Sequence, residues 1–169
     1  MKIMQTDKVK IIVLSCAYFK KIMKRMKLDD SNVEGVSDIA VISIGDCVNS
    51  QDPSDFFSNG INCHWFHYDH HNVLNLNFDD CSPEHGKGMP IYPEQAERIY
   101  KFLTDNMSAK KFFVHCSAGV SRSGAVGLFI KDFLKTVDIS AELNAEYINP
   151  NPYVSMLLNR QIYKNISEE

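Results

Sequence analysis

The sequence FFVHCSAGVSRSGAVGLFI occupies residues 112–130 and combines three kinds of segment. The apolar run at its start predicts a buried strand, and the small and apolar residues at its end predict a helix. A polar loop joins the two, and five residues separate its Cys116 from its Arg122. This spacing lets the loop curl, so we expect its backbone N–H groups to converge at the positive end of the helix dipole. The stretch therefore predicts a strand, a phosphate-binding loop and a helix in succession.

Cys116 and Arg122 give this loop its chemistry. A bound phosphate dianion would meet converging N–H donors and a guanidinium whose fork matches two phosphate oxygens. The same positive field stabilises a thiolate, because a helix N-terminus with a nearby cation lowers the pKa of a cysteine from its free value of about 8.5. The residue types and their spacing thus favour a cysteine nucleophile inside a phosphate site.

The loop matches the pattern H-C-x-x-G-x-x-R-[S/T] and resembles the signature of the cysteine-based protein tyrosine phosphatase superfamily. The Ala-Gly pair and the Ser-Arg-Ser ending are most similar to its small dual-specificity branch. Of the five cysteines, only Cys116 has an arginine six positions later. Cys16 does not, which argues against the low-molecular-weight phosphatases. The resemblance covers about residues 73–165 and includes a Pro-Asn segment at 148–153, whereas the first half of the chain matches only in its strand pattern.

The resemblance implies a role for each residue of the loop. Cys116 is the expected nucleophile, Ser123 is expected to donate a hydrogen bond to its sulfur, and His115 is expected to orient the loop by bonding to backbone. The residues expected to cradle the phosphate are Ser117, Ala118, Gly119, Val120, Ser121 and Arg122. Guanidinium and amide dipoles would stabilise the charge, so we expect neither a metal nor a cofactor.

A second catalytic group is needed, because thiolate attack expels an oxyanion that leaves slowly unless an acid protonates it. Asp79 and Asp80 follow a predicted strand and open a polar loop, and Asp80 precedes Cys116 by 36 residues. The resemblance places the general acid on such a loop and, through a similar Phe-Asp-Asp, favours Asp80 over Asp79. An ordinary turn pair of aspartates is the structural alternative. Glu84 and His85 in the same loop are weaker candidates.

The composition is that of an ordinary globular protein. The 169 residues are 44% hydrophobic and 23% charged, with a formal net charge of −3, and we expect residues 1–169 to form one domain. This charge gives no reason to expect nucleic acid or an anionic membrane as a partner. An odd count of five cysteines without framework spacing, and a start without a signal-peptide core, predict a reducing cytoplasmic setting.

The segments outside the loop alternate between strand and helix patterns. Strands are predicted at 9–14, 39–44, 62–66, 73–78 and 112–115, with loops at 49–55 and 79–90. Helices are predicted at 15–27, from Pro93 with Ala96, Ile99, Leu103 and Met107 buried, at 123–135, at 140–147 with Ser140 as cap, and at 152–165. This alternation predicts a three-layer α/β fold with a mainly parallel central sheet flanked by helices. Ligands bind such sheets at the carboxyl ends of the strands, where the loop falls.

Other functions remain open at this point. RNA 5′-triphosphatases and phosphoinositide phosphatases use the same loop chemistry, and a non-catalytic phosphopeptide-binding module is a further alternative. The loop has Val120 and Ser121 where phosphoinositide enzymes tend to carry lysine, and an RNA enzyme would favour a basic rim. We therefore expect phosphorylated proteins as substrates.

Two features of residues 63–71 allow different interpretations. Cys63 and four nearby histidines at 64, 67, 70 and 71 look like metal ligands, but their spacing fits no standard zinc pattern, and we favour an aromatic-rich, partly exposed segment. Trp65, Phe66 and Tyr68 could wall a deep cleft that admits only phosphotyrosine. The short chain instead favours a shallow pocket of the dual-specificity kind.

Overall fold

A five-stranded sheet forms the centre of the protein. The computed structural model describes residues 7–47, 63–85 and 87–167. Its strands are β1 (Val9–Ser15), β2 (Ile39–Gly45), β3 (Val73–Asn77), β4 (Lys111–Cys116) and β5 (Ala141–Asn144). They lie in the order β3-β2-β4-β1-β5, and every neighbouring pair is parallel. All carboxyl ends therefore meet at one edge of the sheet.

Helices cover both faces of this sheet. They are α1 (Cys16–Met26), α2 (Pro93–Asp105), α3 (Arg122–Thr136) and α4 (Pro152–Ile166), with a short 3-10 helix at Val33–Gly35. Helix α1 packs on one face through Phe19 and Met23, and the other three helices pack on the opposite face. The predicted three-layer α/β fold is confirmed. None of the described helices has the length and apolar character needed to cross a lipid bilayer.

Strand β2 is the most deeply buried strand. All seven of its residues are buried, as expected for a central parallel strand covered on both faces. Its side chains contribute alternately to a large core under helices α2 to α4 and to a smaller one under α1. This packing fixes the carboxyl end of β2 beside the ends of β3 and β4. The residues that follow these strands therefore converge.

The predicted helix at 140–147 is wrong. Residues 141–144 form strand β5, and Ser140 is not a helix cap. Ala, Glu and Leu favour a helix locally, but residues 9–12 of β1 offer an unpaired edge with which this segment pairs in parallel. Backbone pairing with a distant strand overrides local propensity here.

The remaining expectations for single segments have different outcomes. Residues 63–66 form no strand, and Asn62 and the loop predicted at 49–55 lie outside the described residues. Met107 is 41% exposed rather than buried, because α2 ends at Asp105 and Met107 lies in the turn that follows. The loop expected after β3 is present in its described residues.

A carboxylate–histidine cluster holds residues 63–71 against the rest of the fold. Asp30 accepts hydrogen bonds from the His67 backbone and imidazole and from His70 Nε2, while His70 Nδ1 pairs with Glu34. Burial acts to raise the pKa of Asp30, but these bonds outweigh it and lower that pKa to about 2. The bond to Asp30, aided by Glu34, raises the pKa of His70. The cluster thus joins this segment to the connection between α1 and β2.

The cluster predicts a pH-dependent stability. Because the pKa of His70 is raised on folding, its contribution is fully present below the unfolded value of about 6.5 and is lost as pH rises through the folded value. We expect wild type to lose more unfolding free energy between pH 6 and pH 8.5 than His70→Gln does, measured by urea denaturation. His85→Gln, an exposed loop histidine, serves as control and should follow wild type. Parallel pH profiles for wild type and His70→Gln would contradict the prediction.

Candidate active site

The loop 117–121 connects the end of β4 to the start of α3 and curls around the Cys116 sulfur. Gly119 donates its backbone N–H to Cys116 Sγ at 3.3 Å. Gly119 has a φ of +72°, and a Cβ there would lie 2.4 Å from the Leu14 carbonyl carbon. A glycine is therefore required both by the backbone conformation and by the close approach of β1. The loop predicted from the sequence is present in this geometry.

Backbone hydrogen bonds from residues 149–151 hold the same loop in place. The backbone N–H of Asn149 donates to the Val120 carbonyl at 3.2 Å, and that of Asn151 donates to the Ser121 carbonyl at 3.1 Å. Ser117 and Ala118 are exposed at the rim, whereas Arg122 and Ser123 are buried below it. The loop is thus open to ligand on one side and fixed on the other.

Cys116 lies in surroundings that favour its thiolate. The residue is 2% exposed, and Ser123 Oγ lies 3.1 Å from its sulfur. Burial alone would raise the pKa of the Cys116 thiol. Hydrogen bonds from the Ser123 side chain and backbone, the positive Arg122 and the Gly119 N–H outweigh that effect, and the net result is a lowered pKa. The sulfur is therefore suited to act as a nucleophile.

Arg122 is held by groups from three neighbouring strand ends. Its Nη1 donates to Asp46 Oδ1 at 2.5 Å and to the Phe78 carbonyl at 2.8 Å, and its Nη2 donates to Ser117 Oγ at 3.2 Å. Asp46 also accepts from Ser117 Oγ at 3.2 Å. Sequence analysis missed Asp46. Its position directly after β2, at the carboxyl edge, is the signal that could have found it.

Asp80 and Asp79 point to different parts of the structure. Asp80 Oδ1 accepts a hydrogen bond from Ser121 Oγ at 2.8 Å, in the loop 117–121. Asp79 instead accepts from the backbone N–H groups of Cys47 at 2.9 Å and Met89 at 2.7 Å. Asp79 thus holds its own loop together, whereas Asp80 lies against the loop that follows Cys116. The weaker candidates Glu84 and His85 are exposed further along the loop.

Asn151 is a second residue that sequence analysis missed. Its Nδ2 donates to Asp80 Oδ1 at 2.8 Å, while its Oδ1 accepts from the backbone N–H groups of Tyr153 and Val154. One side chain therefore caps α4 and orients the Asp80 carboxylate. An asparagine before Pro152 is an ordinary cap signal, and nothing local indicates its second contact.

His115 lies under the loop in a chain of polar side chains. Its Nε2 pairs with Ser43 Oγ at 2.6 Å, the same oxygen pairs with His64 Nδ1 at 2.5 Å, and His64 Nε2 pairs with Asn77 Oδ1 at 2.7 Å. The backbone interaction expected for His115 is present with Cys116, and the Ser43 side chain is a further partner that the sequence does not indicate. Burial lowers the pKa of both histidines, so both are neutral near pH 7.

The aromatic residues proposed as cleft walls lie elsewhere. Phe66 is buried against Phe19, Trp65 donates its indole N–H to the Leu28 carbonyl, and Tyr68 is 69% exposed. A cavity beside the loop 117–121 has a volume of about 670 Å³, and Tyr18 and Tyr147 are among the residues that line it. A second cavity, of about 580 Å³, lies between the Asp80 loop and the start of α4.

Comparison with protein-family models, with curated proteins and with solved structures gives no match for this chain.

The Cys116 environment predicts the effect of removing the Ser123 hydroxyl. Ser123→Ala deletes a hydrogen bond to the sulfur in a buried site, so the pKa of Cys116 should rise. The pH dependence of iodoacetamide alkylation at Cys116, followed by mass spectrometry of its peptide, measures this pKa. Ser121→Ala is the control: it removes a neighbouring hydroxyl that is hydrogen-bonded to Asp80, and it should leave the pH dependence of Cys116 alkylation unchanged. An unchanged alkylation profile in Ser123→Ala would contradict the assigned cause.

Proposed function

We propose that this protein is a phosphatase that hydrolyses phosphotyrosine, and phosphoserine or phosphothreonine more slowly, through a phosphocysteine on Cys116. The observation that carries the proposal is the Cys116 sulfur, with a lowered pKa, beside the loop 117–121 and the first helical residues Arg122 and Ser123. The nucleophile, the cation and the hydroxyl donor are thus close enough to act on one substrate. The resemblance of the loop to the cysteine-based tyrosine phosphatases supports the same reaction.

In the first step, the Cys116 thiolate attacks phosphorus and Asp80 protonates the leaving oxygen. The S–P bond forms as the P–O ester bond breaks, and the proton of Asp80 leaves with the alcohol or phenol. Both hydrogen bonds described for Asp80 end on Oδ1, so they do not occupy Oδ2. Asn151 and Ser121 thus aim the carboxyl group at the loop while leaving an oxygen to carry the proton.

In the second step, water replaces the thiolate on phosphorus. Asp80, now a carboxylate, takes a proton from the attacking water, and the S–P bond breaks to release inorganic phosphate. The Ser123 hydroxyl, 3.1 Å from the sulfur, stabilises the departing thiolate by a hydrogen bond. One slow displacement thereby becomes two faster ones.

Arg122 and the loop amides stabilise the equatorial phosphate oxygens in both steps. Asp46 and the Phe78 carbonyl hold Nη1, so the guanidinium is already oriented before substrate binds. Preorganised donors of this kind cost little reorganisation during the reaction. A catalytic thiolate also requires a reducing setting, and we therefore propose the cytoplasm as the site of action.

We favour phosphorylated proteins over RNA ends or phosphoinositides as substrates. Tyr18 and Tyr147 are 60% and 65% exposed beside the loop and offer aromatic surface to peptide side chains. The loop itself contributes Val120 and Ser121 rather than lysines. Trp65 and Phe66 pack away from the loop, which favours a shallow pocket that shorter phosphorylated side chains can enter.

A panel of matched substrates tests the proposed function. Peptides that differ only in phosphotyrosine, phosphothreonine or phosphoserine are compared with an inositol phosphate and a 5′-triphosphorylated RNA, by phosphate release. We expect release from phosphotyrosine to be fastest, slower release from the other two peptides, and little from the non-protein substrates. Cys116→Ser should abolish turnover and still bind phosphopeptide, because the loop amides and Arg122 remain.

Several results would count against this function. Turnover by Cys116→Ser would exclude the phosphocysteine mechanism, and preferred turnover of RNA or inositol phosphate would replace the substrate class. Release from phosphotyrosine alone would remove dual specificity and leave a tyrosine phosphatase. Binding of phosphopeptide by wild type without any release would indicate a binding module.

The Asp80 loop gives a second prediction. Asp80→Asn should lower kcat by about 10²–10⁴-fold, the usual contribution of a positioned acid, and should remove the basic limb of the pH–rate profile. The loss should be largest for alkyl phosphates and small for activated aryl phosphates, because good leaving groups need no proton. Steady-state kinetics across leaving groups measures this dependence.

Asp79→Asn is the matched control. An asparagine keeps one acceptor oxygen where Asp79 serves two N–H groups, so we expect a loss of about 1 kcal/mol in stability. Its kinetics should show no dependence on the leaving group. A leaving-group dependence in Asp79→Asn, with none in Asp80→Asn, would transfer the acid role to Asp79.

A further inference from the structure

Two cysteines and a histidine gather directly behind the phosphate loop. Cys16, Cys63 and His115 each offer a donor atom, and these three atoms lie within 4.8 Å of one another. The residues come from three places in the sequence: the start of α1, the loop before β3, and β4. Cys63 and His115 are buried, and Cys16 is half-buried. The proposed phosphatase mechanism uses neither of the two cysteines.

His115 brings an unsatisfied nitrogen to this cluster. Its Nε2 is engaged by Ser43, whereas its Nδ1 is buried without a hydrogen bond of good geometry among the described residues, and the ring interacts with the Cys63 side chain and the Cys116 backbone. A buried polar atom without a partner is costly, and such atoms often mark an ion or water site. The nitrogen available to a ligand is therefore Nδ1.

The row of hydrogen-bonded side chains beneath the loop determines which tautomer of the neutral His115 imidazole is present. Asn77 Oδ1 accepts from His64 Nε2, so a neutral His64 has its lone pair on Nδ1 and accepts the Ser43 hydroxyl proton. Ser43 Oγ then accepts from His115 Nε2–H. A neutral imidazole protonated on Nε2 has its lone pair on Nδ1. His115 thus presents a donor electron pair, the form in which histidine binds a metal.

We propose that Cys16, Cys63 and His115 form a binding site for a soft divalent metal ion, with Zn²⁺ as the best fit. Two thiolates and a neutral imidazole balance the charge of a divalent ion, and Zn²⁺ takes such ligands in a tetrahedron. Zn–S distances of about 2.3 Å and Zn–N distances of about 2.0–2.1 Å place neighbouring donors roughly 3.5–3.8 Å apart. Donors already within 4.8 Å need only a small contraction. The fourth position is left to water.

The surroundings meet the other requirements of a zinc site. Histidine ligands usually donate their second ring N–H to a fixed partner, and Ser43 fills that role for His115. Half-buried Cys16 provides a path from solvent. On binding, both thiols lose their protons to solvent, and the Cys16 S–H gives up its 3.2 Å bond to the Cys63 carbonyl.

A disulfide between Cys16 and Cys63 accounts for fewer of these observations than a metal site does. Such a bond would consume both sulfurs and leave His115 Nδ1 without a partner. Hard ions such as Mg²⁺ and Ca²⁺ prefer oxygen ligands, which the three residues do not supply. The cluster does not include the proposed nucleophile, because the Cys116 sulfur is hydrogen-bonded to Ser123 and Gly119 rather than to a member of the cluster.

Metal titration of the full chain, reduced and then freed of reductant and metal, tests the site. Co²⁺ serves as a spectroscopic probe, and Zn²⁺ is measured by competition with a chromophoric chelator. We expect one equivalent to bind, with sulfur-to-cobalt charge-transfer absorption, tetrahedral Co²⁺ bands in the visible, and displacement of Co²⁺ by Zn²⁺. Cys16→Ser should weaken Zn²⁺ binding by at least about 10-fold, because it removes one of three protein ligands.

Matched cysteine variants locate the metal. Cys63→Ser should behave like Cys16→Ser, and Cys16→Ser alone is decisive if the buried Cys63 variant does not fold. Cys47→Ser, Cys81→Ser and Cys116→Ser should bind Zn²⁺ as wild type does. No metal binding by wild type, or binding that Cys16→Ser leaves unchanged, would overturn the site. Loss of the metal in Cys116→Ser with retention in Cys16→Ser would assign it to the nucleophile instead.

Discussion

The guanidinium of Arg122 joins the carboxyl ends of three strands in one buried contact. A charge that is only 5% exposed must be paired, and its partners are Asp46 after β2, the Phe78 carbonyl after β3 and Ser117 after β4. The loop 117–121 and the two strand ends are therefore positioned by the same cation that binds phosphate in the proposed function. A substrate would find the guanidinium already desolvated and oriented. The pairing with Asp46 also balances the charge while no anion is bound.

The loop between β4 and α3 could be predicted because its information is local. Its strand, its cysteine, its glycine, its arginine and its helix follow one another, so their spacing predicts a strand, a curled loop and a helix around Cys116. Asp46 and Asn151 escaped prediction because they act through contacts with residues 76 and 71 positions away. Strand β5 was missed for a related reason. Its sequence favours a helix, and only the free edge of β1, more than 130 residues earlier, makes it a strand.

The two faces of the sheet serve different purposes. The large core under α2 to α4 is apolar and holds the strands in place, whereas the smaller core under α1 contains a polar column that runs from His115 through Ser43 to His64 and Asn77. Each of these side chains forms a hydrogen bond with the next, which offsets the free-energy cost of burying it. His115 Nδ1, at the end of the column, is the exception. This column of polar side chains thus lies on the face of the sheet that α1 covers.

The contact between Gly119 and strand β1 limits which residues can replace this glycine during evolution. Because the loop backbone touches the Leu14 carbonyl without room for a methyl group, any other residue at this position must displace β1 as well as adopt an unfavourable φ. Substitutions here would reduce the amount of folded protein as well as its activity. A mutational scan that records only activity would therefore overstate the chemical importance of Gly119, and one that also records abundance would separate folding from chemistry.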